Sequence, residues 1–205
     1  MNIGIDIDDT LSNSFESVFA DSQKFDIEEL GNSGKVQNYG KIDNHNYIET
    51  MYPHWTQEQT DLFWEKYFIN MLTIATPKAG ASEIIQKLQK EGNRIIIITS
   101  RYEVVPGKNL VENYSKRWLE KNKILYDEFI LNAQDKLEEA QKTGVQLFID
   151  DSIQHCMKIQ EGGIKPLLYT SIMNQCIEVP DLERVYSWVQ IYDKYQKLQT
   201  KLGKK

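Results

Sequence analysis

The sequence predicts an α/β fold: a parallel sheet flanked by helices, with a small helical cap inserted after the first strand. Short β-branched, apolar runs alternate with stretches of helical apolar spacing, which is the pattern of strands joined by right-handed crossovers. The runs are continuously apolar, as strands buried on both faces must be. Residues 13–76 break the alternation, carrying helical signals but no second strand.

The elements follow in order. Ile3 to Ile7 is short, apolar and ends in acid, so it reads as a buried strand. A helical stretch around Phe15 to Lys24, a polar region rich in Asn and Gly from Gly31 to Asn46, and a second helix from Thr56 to about Asn70 fill the insertion. Thr56 with Gln59 forms a capping-box signature at the start of that helix. After Pro77 the sheet pattern resumes. Ala81 to Gln89 is a helix with Ala81, Ile84, Ile85 and Leu88 at helical spacing, stopped by Gly92. Arg94 to Ile98 is a nearly pure isoleucine strand that runs into Thr99-Ser100-Arg101. The predicted order continues as a helix Asn109 to Lys121, a strand Glu128 to Leu131, a helix Lys136 to Lys142 ended by Gly144, a strand Val145 to Ile149 ending in Asp150-Asp151, a strand within Gly163 to Tyr169 and a last helix Leu182 to Leu198. The division expected is a core of residues 1–12 and 77–205 and a cap of residues 13–76.

Composition narrows the function classes. At 205 residues the chain suits one core with a modest insertion, and 40% hydrophobic against 26% charged residues is a globular balance. A formal net charge of −6 argues against a sequence-independent grip on polymeric nucleic acid, which needs a positive surface. Cys156 and Cys176 form neither a metal-like pair nor a disulfide framework. The start Met-Asn-Ile-Gly-Ile-Asp lacks a leader pattern, and no apolar segment approaches the roughly 20 residues that span a bilayer. A cytoplasmic location without membrane association is expected, and the triplet Asn113-Tyr114-Ser115 reads as a chance glycosylation match.

Three predicted strands end in polar clusters, where ligands bind in open parallel sheets. Asp6 and Asp8 stand two apart where strand gives way to loop, so both carboxylates can face one space. Two such acids can divide roles, one ionised as nucleophile and one protonated as general acid. A bound cation relieves their repulsion, and Asp150 can add a hard oxygen ligand. Carboxylates with phosphate and water favour magnesium. Thr99 offers a hydroxyl and its neighbours backbone N–H groups for phosphate oxygens, and Lys136, opening a helix, can stabilise developing charge. Each piece alone has a bland reading: acidic turns after strands, a Thr-Ser helix cap, a solvated Asp-Asp and a surface lysine are all common. Their joint order and placement is what points to chemistry.

These four pieces resemble the motifs of the haloacid dehalogenase superfamily of phosphohydrolases. Asp6-Ile7-Asp8-Asp9-Thr10-Leu11 is similar to its first motif, Thr99 to its second, Lys136 to its third and Asp150-Asp151 to its fourth. The resemblance covers roughly residues 1–12 and 77–170 and implies a Rossmann-like core. It implies that Asp6 attacks phosphorus and that Asp8 protonates the leaving oxygen and later activates water. Thr99, Ser100 and Lys136 would hold phosphate. Magnesium would be held by Asp6, the backbone carbonyl of Asp8, and Asp150, with Asp151 just outside. The second acid, Asp8, speaks against dehalogenation.

Within the superfamily the arrangement resembles the 5'(3')-deoxyribonucleotidases and related bacterial nucleotidases, through the helical cap, Thr99-Ser100-Arg101 and the segment Lys136 to Ser152. That implies a nucleoside monophosphate substrate and leaves a homodimer open. The family's stacking aromatic after the first motif has no obvious equivalent: Ser14 stands near that place, with Phe15 next. The cap holds Trp55, Phe63, Trp64, Tyr67 and Phe68, of which some can stack on a base, although aromatics at helical spacing are usually core. His45, His54 and His155 show no metal spacing, Asp9 reads as an intervening residue, and Arg101 as either a substrate contact or an exposed loop residue. The tail from Lys194 to Lys205 reads as a solvated helix end. A sugar-phosphate phosphatase and a catalytically silent binding protein are the competing functions. Aromatic residues across the cleft from the first-motif aspartates favour a nucleotide, and a polar face there favours a sugar phosphate.

Overall fold

The structure is a computed structural model that describes residues 1–42, 47–103 and 108–202. Six strands form one parallel sheet: β1 (Asn2–Ile5), β2 (Arg94–Ile98), β3 (Glu128–Ile130), β4 (Val145–Asp150), β5 (Lys165–Tyr169) and β6 (Arg184–Val185). Their spatial order is β3-β2-β1-β4-β5-β6. The order reverses between β1 and β4, and that switch point opens a crevice beyond the carboxyl ends of the strands. β1 pairs with both β2 and β4, Ile5 lying opposite Ile97 on one side and Ile149 on the other. Gly4 is needed at this centre, because a Cβ there would lie 2.6 Å from the Phe148 ring.

The strand pleat sends alternate residues into two layers. Ile95 and Ile97 join Ile3, Ile5, Leu147 and Ile149 under the helices α4 (Ala81–Lys90), α5 (Leu110–Lys121) and α8 (Trp188–Leu202). Ile96, Ile98 and Phe148 face α6 (Lys136–Lys142) and α7 (Ile153–Glu161) through Ala140 and Ile159. The isoleucine run is thus buried on both faces, as its lack of alternation predicts.

Between β1 and β2 lie α1 (Ser14–Glu28), α2 (Tyr47–Met51) and α3 (Gln57–Ile74), with a hydrophobic cluster of their own that includes Phe25, Tyr52, Trp55 and Phe63. The capping box at Thr56 is present in full. The chain leaves and re-enters the sheet layer on two adjacent passes: Ser12 bridges Pro77, Asn13 N–H donates to Thr76 O at 2.8 Å, and Lys78 N–H donates to Leu11 O at 2.7 Å. Trp118 Nε1–H on α5 donates to Ala75 O at 2.7 Å beside this junction.

One predicted element is corrected. The helix expected from Leu182 to Leu198 begins only at Trp188, because Arg184 and Val185 pair with Leu168 and Tyr169 as the edge strand β6. The Arg184 guanidinium fixes that strand by donating to Asn174 Oδ1 at 2.6 Å and Ile177 O at 2.7 Å. The helix then starts where Ser187 Oγ accepts from Gln190 N–H. Among the described residues, no helix is long and apolar enough to cross a membrane.

Asp26 organises the helical segment. Fully buried, its carboxylate accepts from Trp55 Nε1 at 2.6 Å, Gly34 N at 2.8 Å and Asn32 Nδ2 at 3.0 Å, and pairs with His54 Nε2 at 2.9 Å. Burial raises its pKa, but these hydrogen bonds outweigh burial and hold it below the ordinary carboxylate range. Asp26→Ala leaves several buried donors unpaired and should cost about 3 kcal/mol in urea unfolding. Because the folded-state pKa is depressed, the stabilisation is present above about pH 4 and fades as the pH falls through the folded value. Asp26→Asn should therefore flatten the acid limb of the stability curve.

Candidate active site

Asp6, Asp8, Thr99, Ser100, Lys136, Asp150 and Asp151 all line one cleft of about 220 Å³ at the switch point between β1 and β4. Each arrives by a local device. Asp6 follows β1 directly, its N–H donating to Ile149 O at 3.0 Å, which ties it to the neighbouring strand. Lys136 is the first residue of α6, set by Asp135, whose Oδ1 accepts from Leu137 N–H and Glu138 N–H as an N-cap. Asp150 ends β4, and its Oδ1 accepts from Ser152 N–H at 2.8 Å.

Charge compensation governs the site. The buried Lys136 Nζ sits 2.7 Å from Asp6 Oδ1 and 2.8 Å from Asp150 Oδ2. Burial pushes the Asp6 carboxyl up; Lys136 opposes this, while the charges of Asp150 and Asp8 add to it, and the result is about 6. Asp150 moves the other way: burial would raise it, but Lys136 and His155 draw it below the ordinary range. His155 Nδ1 lies 3.2 Å from Asp150 Oδ2, which brings the third histidine of the sequence into the cleft. Asp151 is pushed well up by burial and by the charges of Asp9, Asp150 and Asp6.

Asp8 behaves differently. Arg101 Nε donates to its Oδ2 at 2.8 Å and Nη2 to its Oδ1 at 2.6 Å, a two-point grip. The cleft's desolvation raises the Asp8 pKa, and the guanidinium more than offsets that to lower it. Arg101 is itself only 6% exposed, so the exposed-loop reading of this residue is corrected. Thr99 is buried and its Oγ1 accepts from Arg101 N–H at 3.3 Å. The Ser100 hydroxyl donates to Ala133 O at 3.1 Å, which commits its proton to the backbone.

Asp9 carries more than an intervening residue's role. It adopts φ 53°, is buried, and accepts from Phe15 N–H at 3.3 Å, with Lys78 Nζ 3.8 Å away. Burial raises its carboxyl to about 7 against the pull of Lys78.

The donor set fits a hard divalent cation. Carboxylate oxygens of Asp6, Asp150 and Asp151 lie within 4.8 Å of one another, all of them oxygen donors of the kind magnesium takes. The Asp8 carboxylate is not in this group, being turned to Arg101.

The cleft is also lined by apolar and aromatic side chains, Phe15, Val18, Ile42, Tyr47, Phe68, Met71 and Met173. Of the aromatics named from the sequence, Phe15 and Phe68 reach the cleft, whereas Trp55, Phe63 and Tyr67 are buried in the helical cluster. Phe15 and Tyr47 meet edge-to-face at 5.6 Å between ring centroids, and Trp64 packs behind Tyr47 at 5.7 Å. Tyr47 is a residue that sequence reasoning misses: it follows a polar stretch, and the helical spacing it shares with Ile48, Met51 and Tyr52 spans only about one turn. His54 pairs with Asp26 away from this cleft, and His45 lies outside the described residues. Magnesium should raise the thermal midpoint of the wild-type chain, and Asp150→Asn should abolish that rise; thermal melts with magnesium and with chelator check it.

Comparisons with known proteins fit this architecture. No family model matches the chain. It is 25% identical over 193 residues to the nucleotidase CA_C3379 of Clostridium acetobutylicum, covering 94% of this chain and 92% of that protein. The haloacid dehalogenase-like hydrolase SP0104 of Streptococcus pneumoniae superposes with a TM-score of 0.64 at 14% identity, over 95% of this chain and 97% of the other. A HAD-superfamily hydrolase of subfamily IA from Geobacter sulfurreducens PCA gives 0.56 at 16% identity, over 94% and 98%. The chain has the fold of the haloacid dehalogenase superfamily hydrolases, and its sequence is similar along nearly its whole length to a nucleotidase.

Proposed function

We propose that the protein is a magnesium-dependent phosphomonoester hydrolase that works through an aspartyl-phosphate at Asp6, with 5'-nucleoside or deoxynucleoside monophosphates as substrates. The observation that carries this reading is the convergence of Asp6, Asp8, Lys136, Asp150 and Asp151 in one cleft faced by aromatic side chains. Bound at Asp6, Asp150 and the backbone of Asp8, magnesium would supply a positive charge that neutralises phosphate oxygens.

The chain's own groups do the rest. Asp6 Oδ forms a bond to phosphorus as the bond from phosphorus to the leaving oxygen breaks. Asp8, whose pKa Arg101 lowers in the free protein, takes up a proton with the entering phosphate dianion and gives it to that oxygen. Water then attacks the phosphorus of the aspartyl-phosphate, Asp8 takes the water proton, and phosphate leaves with the Asp6 carboxylate restored. Lys136 and the Thr99 hydroxyl hold phosphate oxygens, with the N–H groups after Thr99. Lys136 bridges Asp6 and Asp150, so it keeps the nucleophile ionised against its raised pKa.

We further propose that residues 13–76 act as a cap that selects the leaving group, over a core of residues 1–12 and 77–205. The aromatic wall of Phe15, Tyr47 and Phe68 supports a planar base in preference to a sugar, whose hydroxyls would be left unpaired there. The net charge of −6 and the small cleft speak for mononucleotides over polymeric nucleic acid. Two unpaired cysteines suit the reducing cytoplasm, where we place the protein.

Phosphate release from a panel of nucleoside monophosphates and sugar phosphates, with and without magnesium, tests the proposal. Release from nucleotides should require magnesium and fall at least about 10³-fold in Asp6→Asn. Release from sugar phosphates alone would keep the mechanism and discard the nucleotidase reading. An unchanged rate in Asp6→Asn would discard the mechanism.

A further inference from the structure

The buried guanidinium of Arg101 is the largest charged group in the cleft that the catalytic reading above does not use. Its three engaged nitrogens reach two different elements. Nε and Nη2 hold both oxygens of Asp8, and Nη1 donates to Ser115 Oγ at 2.8 Å, inside α5. Ser115 is fully buried, and its helix packs into the sheet core through Trp118 and Leu119. A planar fork that grips both carboxylate oxygens fixes the plane of the carboxyl group as well as its distance. Asp8 stands on a turn of two successive acids with its side chain 32% exposed; the Ser14 hydroxyl also hydrogen-bonds to it, but as a single contact that does not fix the plane of the carboxyl group.

We infer that Arg101 is the positioning residue for Asp8, holding its carboxyl group in the plane and place from which a proton passes to the leaving oxygen and is later taken from water. The inference rests on the roles proposed for Asp6 and Asp8. It gives the Thr99-Ser100-Arg101 run a division of labour: Thr99 faces phosphate, and Arg101 faces the acid. Lysine would keep the charge but lose the fork, so Arg101→Lys should not restore function.

Leaving-group dependence separates positioning from mere structure. An ester such as 2,4-dinitrophenyl phosphate has a leaving group that needs no proton, whereas a nucleotide's alkoxide does. In stopped-flow measurements with magnesium, Arg101→Lys should release dinitrophenol in a burst near the wild-type rate, followed by slow turnover, because hydrolysis of the aspartyl-phosphate still needs Asp8. The best nucleotide of the panel should show no burst and a kcat lowered about 100-fold. Asp8→Asn should show the same pattern, and the double variant should be no slower than Asp8→Asn alone. Ser115→Ala, which removes only the far anchor, should move kcat in the same direction by about 5-fold and serves if Arg101→Lys does not fold. A raised KM with kcat kept on both esters, or losses that add in the double variant, would overturn the inference by making Arg101 an independent substrate contact. An Asp8→Asn variant slowed equally on both esters would overturn the role of Asp8 and the inference with it. Loss of the burst in Asp6→Asn reports on the nucleophile separately.

Discussion

Five carboxyl groups, Asp6, Asp8, Asp9, Asp150 and Asp151, face one cleft, and their mutual repulsion is the constraint around which the rest of the site is arranged. Buried like charges are costly unless each finds a partner. The fold answers with three cations from three different places: Lys136 between Asp6 and Asp150, Arg101 on Asp8, and Lys78 beside Asp9. Those pairings set the acids apart. Asp150 and Asp8 are drawn below the ordinary carboxylate range, while Asp6, Asp9 and Asp151 are pushed up, with Asp6 near 6. A divalent ion beside the oxygens of Asp6, Asp150 and Asp151 would relieve the crowding that remains.

The sheet order makes this crowding unavoidable. With β1 at the centre and the connection reversing direction beside β4, the loops after both strands turn toward the same crevice. The helical segment between β1 and β2 joins the sheet layer at two adjacent chain passes, Ser12 and Pro77, and its apolar side chains line the same cleft as the acids. On the proposed function, phosphate chemistry and leaving-group selection would fall on separate parts of the chain, joined at this neck.

Much of this was legible in the sequence, and the gaps have physical causes. The isoleucine run, the acid-ended strands and the capping box at Thr56 each carry a strong local signal, and each element lies within a few residues of its expected place. The helix α7, absent from the expected order, does carry a local signal in the Ser152 cap and the spacing of Ile153, Cys156 and Ile159. The edge strand β6 has two residues and exists only because β5 offers it an edge, a tertiary cause with no local signature. The same holds at the site. The acids and Lys136 announce themselves by type and position, whereas Arg101 and Tyr47 gain their meaning from partners far away in sequence: Asp8 for Arg101, and Phe15 and Trp64 for Tyr47. Trp55, Phe63 and Tyr67, prominent in the sequence, serve the packing of the helical segment.

A covalent bond to Asp6 would separate the proposed chemistry from direct attack by water in an acid-lined cleft. Acid quenching of the enzyme during turnover, borohydride reduction and peptide mass spectrometry would locate it. Reduction of an aspartyl-phosphate should convert the carboxyl of Asp6 to the alcohol, in a magnesium-dependent yield, and leave Asp8, Asp9, Asp150 and Asp151 intact. Turnover with no reduced carboxyl, or with the label on any acid other than Asp6, would contradict the assignment of Asp6 as nucleophile.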